Sequence, residues 1–274
     1  MKIYLKKTLP VSLVIALLAL ACSDAPKRAD KVSVSKSEGS KTDGRSKADA
    51  TVSDAGALYL SGKYEEAFRL FKQAADQGHA QAMTTIGNMY KKGDGVTQDM
   101  ALALEWLNKA IDVGDINAMI SLADIYNEGD YIKKDQKKAL ALYKKAAEAG
   151  SVWSMNVVGR MYSKGKGTAI DKKSAFEWYK KAAERGYAEA QNNIGLLYQN
   201  GKGVDQDYKI ALEWYMKSVG GHNSDAMNNI GHMFAHGLGM PKNNTMAREW
   251  YKKAIACSNA DAKKYLAALP KEEK

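Results

Sequence analysis

The sequence is poor in the features that would place it in several common classes. It has two cysteines in 274 residues, Cys22 and Cys257, which cannot form a framework of several disulfides. Its longest apolar run, residues 9–21, is too short to cross a bilayer as a helix. The formal net charge is +10, but the bases do not cluster with aromatic residues and have glutamates nearby, which is typical of a solvated face. We therefore expect no nucleic-acid partner.

The sequence also lacks a constellation that would carry catalysis. No Ser or Cys stands in a nucleophile motif. The Gly-x-Gly triplets, such as Gly93 to Gly95, never follow a strand pattern, so they predict turns and not a phosphate-binding loop. His232 and His236 are four residues apart and could share a helix face, but no third ligand stands at a recognisable spacing. We predict no enzymatic activity, no cofactor and no metal ion.

The first 21 residues have the three parts of an export signal. Lys2, Lys6 and Lys7 precede the apolar run, which ends in small residues, and we predict a cleaved signal peptide over residues 1–21. The run continues into Cys22 and resembles the lipobox of bacterial lipoproteins, which implies a lipid on Cys22. The alternative is an ordinary secreted protein. Ser23 resembles an outer-membrane address, so we expect a lipid-anchored protein of the bacterial envelope that faces the periplasm.

Residues 22–54 are rich in Ser, Lys, Asp, Ala and Gly and contain no aromatic residue. Such a segment buries too little apolar surface to offset its chain entropy. We predict a disordered tether between the lipid and the remainder of the chain.

What the chain does have is a unit that recurs five times with a spacing of 36 residues. A small residue begins the pattern at Gly87, Ala123, Gly159, Gly195 and Gly231. An aromatic residue follows at Tyr90, Tyr126, Tyr162, Tyr198 and Phe234, and a glycine at Gly93, Gly129, Gly165, Gly201 and Gly237. Further on come Trp106, Leu142, Trp178, Trp214 and Trp250, then Lys109, Lys145, Lys181, Lys217 and Lys253. A period of this length predicts a solenoid, in which each unit buries its apolar face against its neighbours.

Each unit predicts two helices joined by a glycine turn. Apolar residues fall at helical spacing before and after the turn, as Ile86 and Tyr90 do on one side and Ala103 and Trp106 on the other. The turn glycine can adopt the left-handed conformation that ends a helix. Asp99, Asp135, Asp171, Asp207 and Asn243 stand where they can cap the second helix of each copy.

These residues resemble the Sel1-like repeat, a relative of the tetratricopeptide repeat. In the fourth copy the match includes Gly195, Tyr198, Gly201 to Val204, and Trp214-Tyr215. Copy two departs from it at Tyr131 and Ile132. The resemblance implies an all-α, right-handed superhelical solenoid of antiparallel helix pairs. The expected domains are a tetratricopeptide-like start at 55–78, repeats at 79–114, 115–150, 151–186, 187–222 and 223–258, and a capping helix at 259–270.

The resemblance also implies a binding surface, because the inner wall of such a superhelix consists of first-helix residues that do not enter the core. Carried over to this sequence, the predicted partner-binding residues are Trp153, Asn156, Arg160, Asn192, Leu196, Asn228 and His232. Asn156, Asn192 and Asn228 would form a ladder of amides able to hold a bound segment. In the alternative interpretation these asparagines bridge adjacent helices and Trp153 fills a gap between repeats.

The function that these features favour is a non-enzymatic protein-binding module, lipid-anchored at the bacterial envelope, with its partner in the concave groove. Two more specific versions follow from the resemblance. One is an immunity protein that neutralises a secreted phospholipase effector in the periplasm, and the other is a regulatory adaptor of an envelope signalling protein. A hydrolase is the least favoured class, since the Sel1-like proteins linked to penicillin binding carry a cysteine pair in every repeat and this chain does not.

Overall fold

The computed structural model describes residues 47–271, and within them all regular structure is helical. Thirteen helices follow one another there, the first twelve as six consecutive antiparallel pairs and the last as a single helix, so the predicted all-α repeat solenoid is confirmed. The described residues divide into two compact units, an N-terminal unit of residues 47–185 and a C-terminal unit of residues 186–271.

The N-terminal unit contains eight of these helices. They are α1 (Lys47–Leu60), α2 (Tyr64–Asp76), α3 (Ala80–Lys92), α4 (Met100–Asp112), α5 (Ile116–Glu128), α6 (Gln136–Glu148), α7 (Val152–Lys164) and α8 (Lys172–Glu184). The C-terminal unit contains α9 (Ala188–Asn200), α10 (Tyr208–Gly220), α11 (Ser224–His236), α12 (Asn244–Ala256) and α13 (Ala260–Ala268). The odd-numbered helices from α3 to α11 are the first helices of the repeats, and the helices that follow them are the second helices.

Helix α1 corrects the predicted boundary of the tether. It begins at Lys47, so residues 47–54 are helical and do not belong to a disordered segment. The segment is rich in Ala, and Val52 and Tyr59 pack against the core that includes Ala55. The boundary was predicted from the composition of residues 22–54 as a whole, and the few apolar residues of this short helix face do not alter that composition. The predicted signal peptide, Cys22 and the tether before residue 47 lie outside the described residues.

The predicted stop and start signals of the repeats are confirmed. Gly93, Gly129, Gly165, Gly201 and Gly237 all take the left-handed conformation at the end of a first helix. The side chains of Asp99, Asp135, Asp171, Asp207 and Asn243 accept hydrogen bonds from backbone N–H groups in the first turn of a second helix. These contacts satisfy donors that a helix leaves unpaired, which fixes where each pair turns.

The small residue of the repeat allows the two helices of a pair to approach closely. At Gly195 an added Cβ would lie 2.5 Å from Cε1 of Tyr215, a side chain with no exposed surface. The hydroxyl of Tyr215 donates a hydrogen bond of 2.8 Å to Oε1 of Gln199. The same arrangement recurs at Gly159 with Tyr179 and at Gly231 with Tyr251. In these three pairs the core is therefore an aromatic ring lying on a glycine, whereas in copy one the Leu107 side chain lies on Gly87.

No helix between residues 47 and 271 combines the length and the apolar character needed to cross a membrane.

Candidate functional site

In the N-terminal unit, the predicted site residue Trp153 stands on a buried tyrosine. The rings of Trp153 and Tyr143 meet edge to face, with centroids 5.8 Å apart and an interplanar angle of 66°. The hydroxyl of Tyr143 donates a short hydrogen bond to the Asp124 carboxylate. Burial and the neighbouring Asp124 raise the pKa of Tyr143, so its phenol stays protonated. Trp153 itself is only partly buried.

Arg160 is the charged member of this group. Its side chain is exposed, one repeat after Asp124 at the equivalent position. Its positive charge partly opposes the rise in the pKa of Tyr143, which places the guanidinium within electrostatic reach of the phenol. We call Asp124, Tyr143, Trp153 and Arg160 the Trp153 cluster.

The predicted ladder of amides is wrong for two of its three members. Asn156 is 1% exposed and Asn192 is 5% exposed, so neither is on the surface. Asn192 Oδ1 accepts a hydrogen bond of 2.9 Å from Nδ2 of Asn229, on the next first helix. This is the bridging alternative, and the bond joins α9 to α11 within the C-terminal unit.

Other first-helix polar residues bridge repeats in the same way. Thr84 donates to the Asp115 carboxylate at 3.1 Å, and Asn88 donates to the hydroxyl of Ser121 at 3.3 Å. In the last such bridge, Asn259 donates to the Asp225 carboxylate at 2.7 Å. These polar side chains therefore bond to a neighbouring repeat, which leaves fewer of their hydrogen-bonding groups for a partner.

The predicted residues of the C-terminal unit have a different environment. Leu196 is partly buried and packs against the apolar core. Asn228 and His232 are half-buried on α11. Asn228 Oδ1 and His232 Nδ1 are buried atoms without a hydrogen-bond partner in the described part of the chain. These two atoms contrast with Asn192, whose oxygen is satisfied.

Aromatic rings surround His232. Its ring centroid lies 4.2 Å from that of His236 and 6.4 Å from that of Tyr265 on α13. Tyr265 in turn stacks on Tyr251 at 5.8 Å. Burial, and to a smaller extent the neighbouring His236, lower the pKa of His232, so this imidazole is neutral at pH 7. We call Asn228, His232 and His236 the α11 cluster.

The second helices carry a feature that the sequence interpretation missed. A lysine three residues after the repeat tryptophan places its Nζ over the indole ring, at 4.0–4.5 Å from the centroid. The pairs are Trp106 with Lys109, Trp178 with Lys181, Trp214 with Lys217, and Trp250 with Lys253. Since residues three apart are neighbours on a helix, the two recurring columns were a sufficient signal for these cation–π contacts.

Within residues 47–271, no three His, Cys, Asp or Glu side chains gather in a way that could hold a metal ion.

Comparison with known families identifies the repeat. The model of the Sel1 repeat matches residues 55–79, 80–115, 116–151, 154–187, 188–218 and 224–259. The chain belongs to the Sel1 repeat family. The match also includes the first helix pair, for which the sequence predicts a tetratricopeptide-like start. Proteins built from Sel1 repeats are generally non-catalytic scaffolds that bind other proteins.

Solved structures of Sel1 repeat proteins resemble this chain at the level of sequence and fold. A Sel1 repeat protein from Oxalobacter formigenes is 32% identical, with a TM-score of 0.69 over 79% of this chain and 89% of that one. The protective antigen c5321 of uropathogenic Escherichia coli is 34% identical, with a TM-score of 0.71 over 80% of this chain. The alignment spans 48% of the c5321 chain.

More distant or shorter matches include two proteins with named roles. The immunity protein Pa5087 of Pseudomonas aeruginosa is 22% identical, with a TM-score of 0.46 over 80% of this chain and 83% of that one. A negative regulator of exopolysaccharide production from Rhizobium leguminosarum bv. viciae is 46% identical over 41 residues. That alignment covers 15% of each chain.

Proposed function

We propose that this Sel1 repeat protein binds another protein at the bacterial envelope, where a lipid on Cys22 anchors it. The family supports a scaffold role, and the export signal and lipobox-like sequence support the location. In each unit, the proposed binding surface is the exposed part of that unit's first helices. Asn156 and Asn192 no longer belong to it, because their amides are buried.

The observation that carries this proposal is the composition of the Trp153 cluster. Trp, Tyr and Arg are the residues most enriched among those that dominate binding energy at protein interfaces. Here a partly exposed indole rests on a buried, hydrogen-bonded tyrosine, and an exposed guanidinium lies nearby. Because the buried Tyr143 ring packs against Trp153, the Trp153 side chain has little conformational freedom left to lose when a partner binds.

The proposal predicts that Trp153→Ala and Arg160→Ala weaken partner binding and leave the fold intact. If the cluster is central to the interface, we expect each substitution to raise the Kd by roughly 30-fold, which corresponds to about 2 kcal/mol. The partner would be captured by crosslinking in intact cells, identified by mass spectrometry, and its Kd for each purified variant measured by calorimetry.

Lys180→Ala is the matched control for this experiment, because Lys180 is an exposed base on a second helix. It should bind the partner like the wild type. Equal affinities for all the variants would move the binding site away from the Trp153 cluster. A loss of affinity in the Lys180→Ala variant alone would place the binding site on the second helices.

The identity of the captured partner separates the two specific versions of this function. A secreted phospholipase would indicate an immunity protein, whereas an envelope kinase or protease would indicate a regulatory adaptor. Similarity to the Rhizobium regulator supports the second version only over a short stretch.

The proposed anchor predicts that Cys22→Ser abolishes lipidation. We expect cells fed a radiolabelled fatty acid to label the wild-type chain and not the variant. The variant should also move from the membrane fraction to the periplasmic fraction. Label that persists in the Cys22→Ser variant would exclude this residue as the lipid attachment site. An unlabelled wild-type chain would leave the ordinary secreted protein as the better description.

A further inference from the structure

Two lysine-rich turns of the N-terminal unit lie side by side. A Cβ added at Gly167 would lie 2.2 Å from the carbonyl oxygen of Gln136, so the turn of copy three lies against the start of α6. Residues 129–138 and 165–174, which are one repeat apart in the sequence, are therefore neighbours in the fold. Their exposed lysines are Lys133, Lys134, Lys137, Lys138, Lys166 and Lys173. We call these lysines, together with Tyr131 and Ile170, the basic edge.

The positive charge of the basic edge is not a general property of the repeat. Residues 129–138 contain four lysines and two aspartates, and residues 165–174 contain three lysines and one aspartate, which gives each segment a net charge of +2. The equivalent segments of the other copies have net charges of −2 for residues 93–102, zero for 201–210 and +1 for 237–246. Of the three aspartates, Asp135 and Asp171 already accept hydrogen bonds as helix caps. The fold of the repeat therefore does not require this excess of lysine.

Two large apolar side chains stand exposed among these lysines. Tyr131 is 50% exposed and Ile170 is 66% exposed. The other copies have glycine at the position of Tyr131, namely Gly95, Gly167, Gly203 and Gly239. They have polar residues at the position of Ile170, namely Gln98, Lys134, Gln206 and Lys242. The repeat thus needs neither apolar side chain at these positions, and both occur where the charge is most positive.

We propose that the basic edge docks on the surface of an anionic phospholipid membrane. Lysines close to such a surface are attracted to the lipid phosphates. A tyrosine and a branched aliphatic side chain beside them can enter the boundary between headgroups and acyl chains. An acidic polypeptide would complement the lysines alone, whereas a membrane surface complements the lysines and the exposed apolar side chains together. The contact goes beyond the proposed partner binding, because it uses no residue of the Trp153 cluster and needs no lipid on Cys22.

Co-sedimentation of the full chain with phospholipid vesicles tests this proposal. Every variant is made in the Cys22→Ser background, so that a lipid on this residue cannot contribute. We expect this background protein to bind vesicles of equimolar phosphatidylglycerol and phosphatidylcholine more tightly than vesicles of phosphatidylcholine alone. Added NaCl should weaken the binding, because salt screens exposed charges.

Two variants separate the electrostatic part of this contact from the apolar part. Lys134→Gln/Lys166→Gln should lower the affinity for the anionic vesicles by roughly tenfold or more and reduce its dependence on NaCl. Ile170→Gln, which introduces the residue of copies one and four, should lower the affinity by roughly fivefold and leave the dependence on NaCl unchanged. Circular dichroism of each variant would verify that the helices are retained.

Lys145→Gln/Lys180→Gln is the matched control, because it removes the same charge from exposed lysines of the same unit outside the basic edge. It should bind the anionic vesicles like the background protein. An equal loss in this control would show that net charge and not the basic edge determines binding, which overturns the proposal. Equal binding to both kinds of vesicle would overturn it too. Saturable binding of poly-L-glutamate without binding of anionic vesicles would assign the basic edge to an acidic polypeptide instead.

Discussion

Trp250→Ala should lower the free energy of unfolding of the C-terminal unit by about 3–5 kcal/mol, the range for removing a large buried aromatic side chain. Trp250 is 1% exposed and is the largest of the fully buried side chains in the described residues. It packs in the core formed by α10 to α13 with Tyr215, Ile230 and Tyr251. Removing the indole leaves a cavity that rigid helices on either side cannot close.

The matched variant is Trp178→Ala, because this tryptophan occupies the same repeat position but is partly exposed. A lysine Nζ lies over both indole rings, 4.5 Å from the ring centroid of Trp250 and 4.3 Å from that of Trp178. If burial sets the contribution, Trp178→Ala should cost less than half as much. Equal losses would show that the cation–π contact, which the two positions share, dominates. An exposed cation–π pair is worth about 0.5–1 kcal/mol, which makes that outcome unexpected.

Urea unfolding followed by circular dichroism would measure both losses. A repeat array can unfold in parts, so one transition does not always report on the whole chain. Hydrogen exchange of the backbone amides would therefore accompany it, with the loss of protection in Trp250→Ala expected in α10 to α13. Loss of protection confined to α7 and α8 in that variant would contradict the proposed packing.

The sequence predicted the helix pairs of this protein well because their determinants are local. A cap such as Asp171 and a stop such as Gly165 act within one turn of the residues that they control. The fixed spacing at which these signals recur also predicts which helices pair, because repeated units bury their apolar faces by stacking on one another. The start of α1 was missed because it has no copy of the repeat before it to set its register.

The candidate surface was harder to predict because it depends on contacts between repeats. Asn192 and Asn228 occupy the same position in two successive copies, yet one oxygen is bonded and the other is not. The difference arises from Asn229, one residue beyond the equivalent position, whose amide reaches back to Asn192. Alignment of copies identifies equivalent positions, but it does not show which neighbours of the next copy reach them.

Gly167→Ala should destabilise the N-terminal unit by about 2–4 kcal/mol, because two separate costs add at this position. Gly167 has φ of +74°, a conformation that residues with a side chain rarely adopt. In addition, an alanine Cβ would lie 2.2 Å from the carbonyl oxygen of Gln136, the first residue of α6. Backbone atoms cannot move aside as the end of a side chain can, so the turn of this repeat must separate from the preceding one.

Gly114→Ala isolates the first of these costs. Gly114 has φ of +86° but no atom within 4 Å of the position that a Cβ would take. Thermal and urea unfolding of this variant should show only the conformational cost of about 1–2 kcal/mol. A loss in Gly167→Ala no larger than that in Gly114→Ala would mean that the contact with α6 yields easily.

Copy two argues against such yielding, because it has Tyr131 at the equivalent position. Tyr131 is half exposed. Its φ is not positive, since the non-glycine residues with a positive φ among those described are His222 and Ser258. Where a side chain occupies this position, the turn abandons the left-handed conformation, and that is the physical reason for a glycine in the other copies.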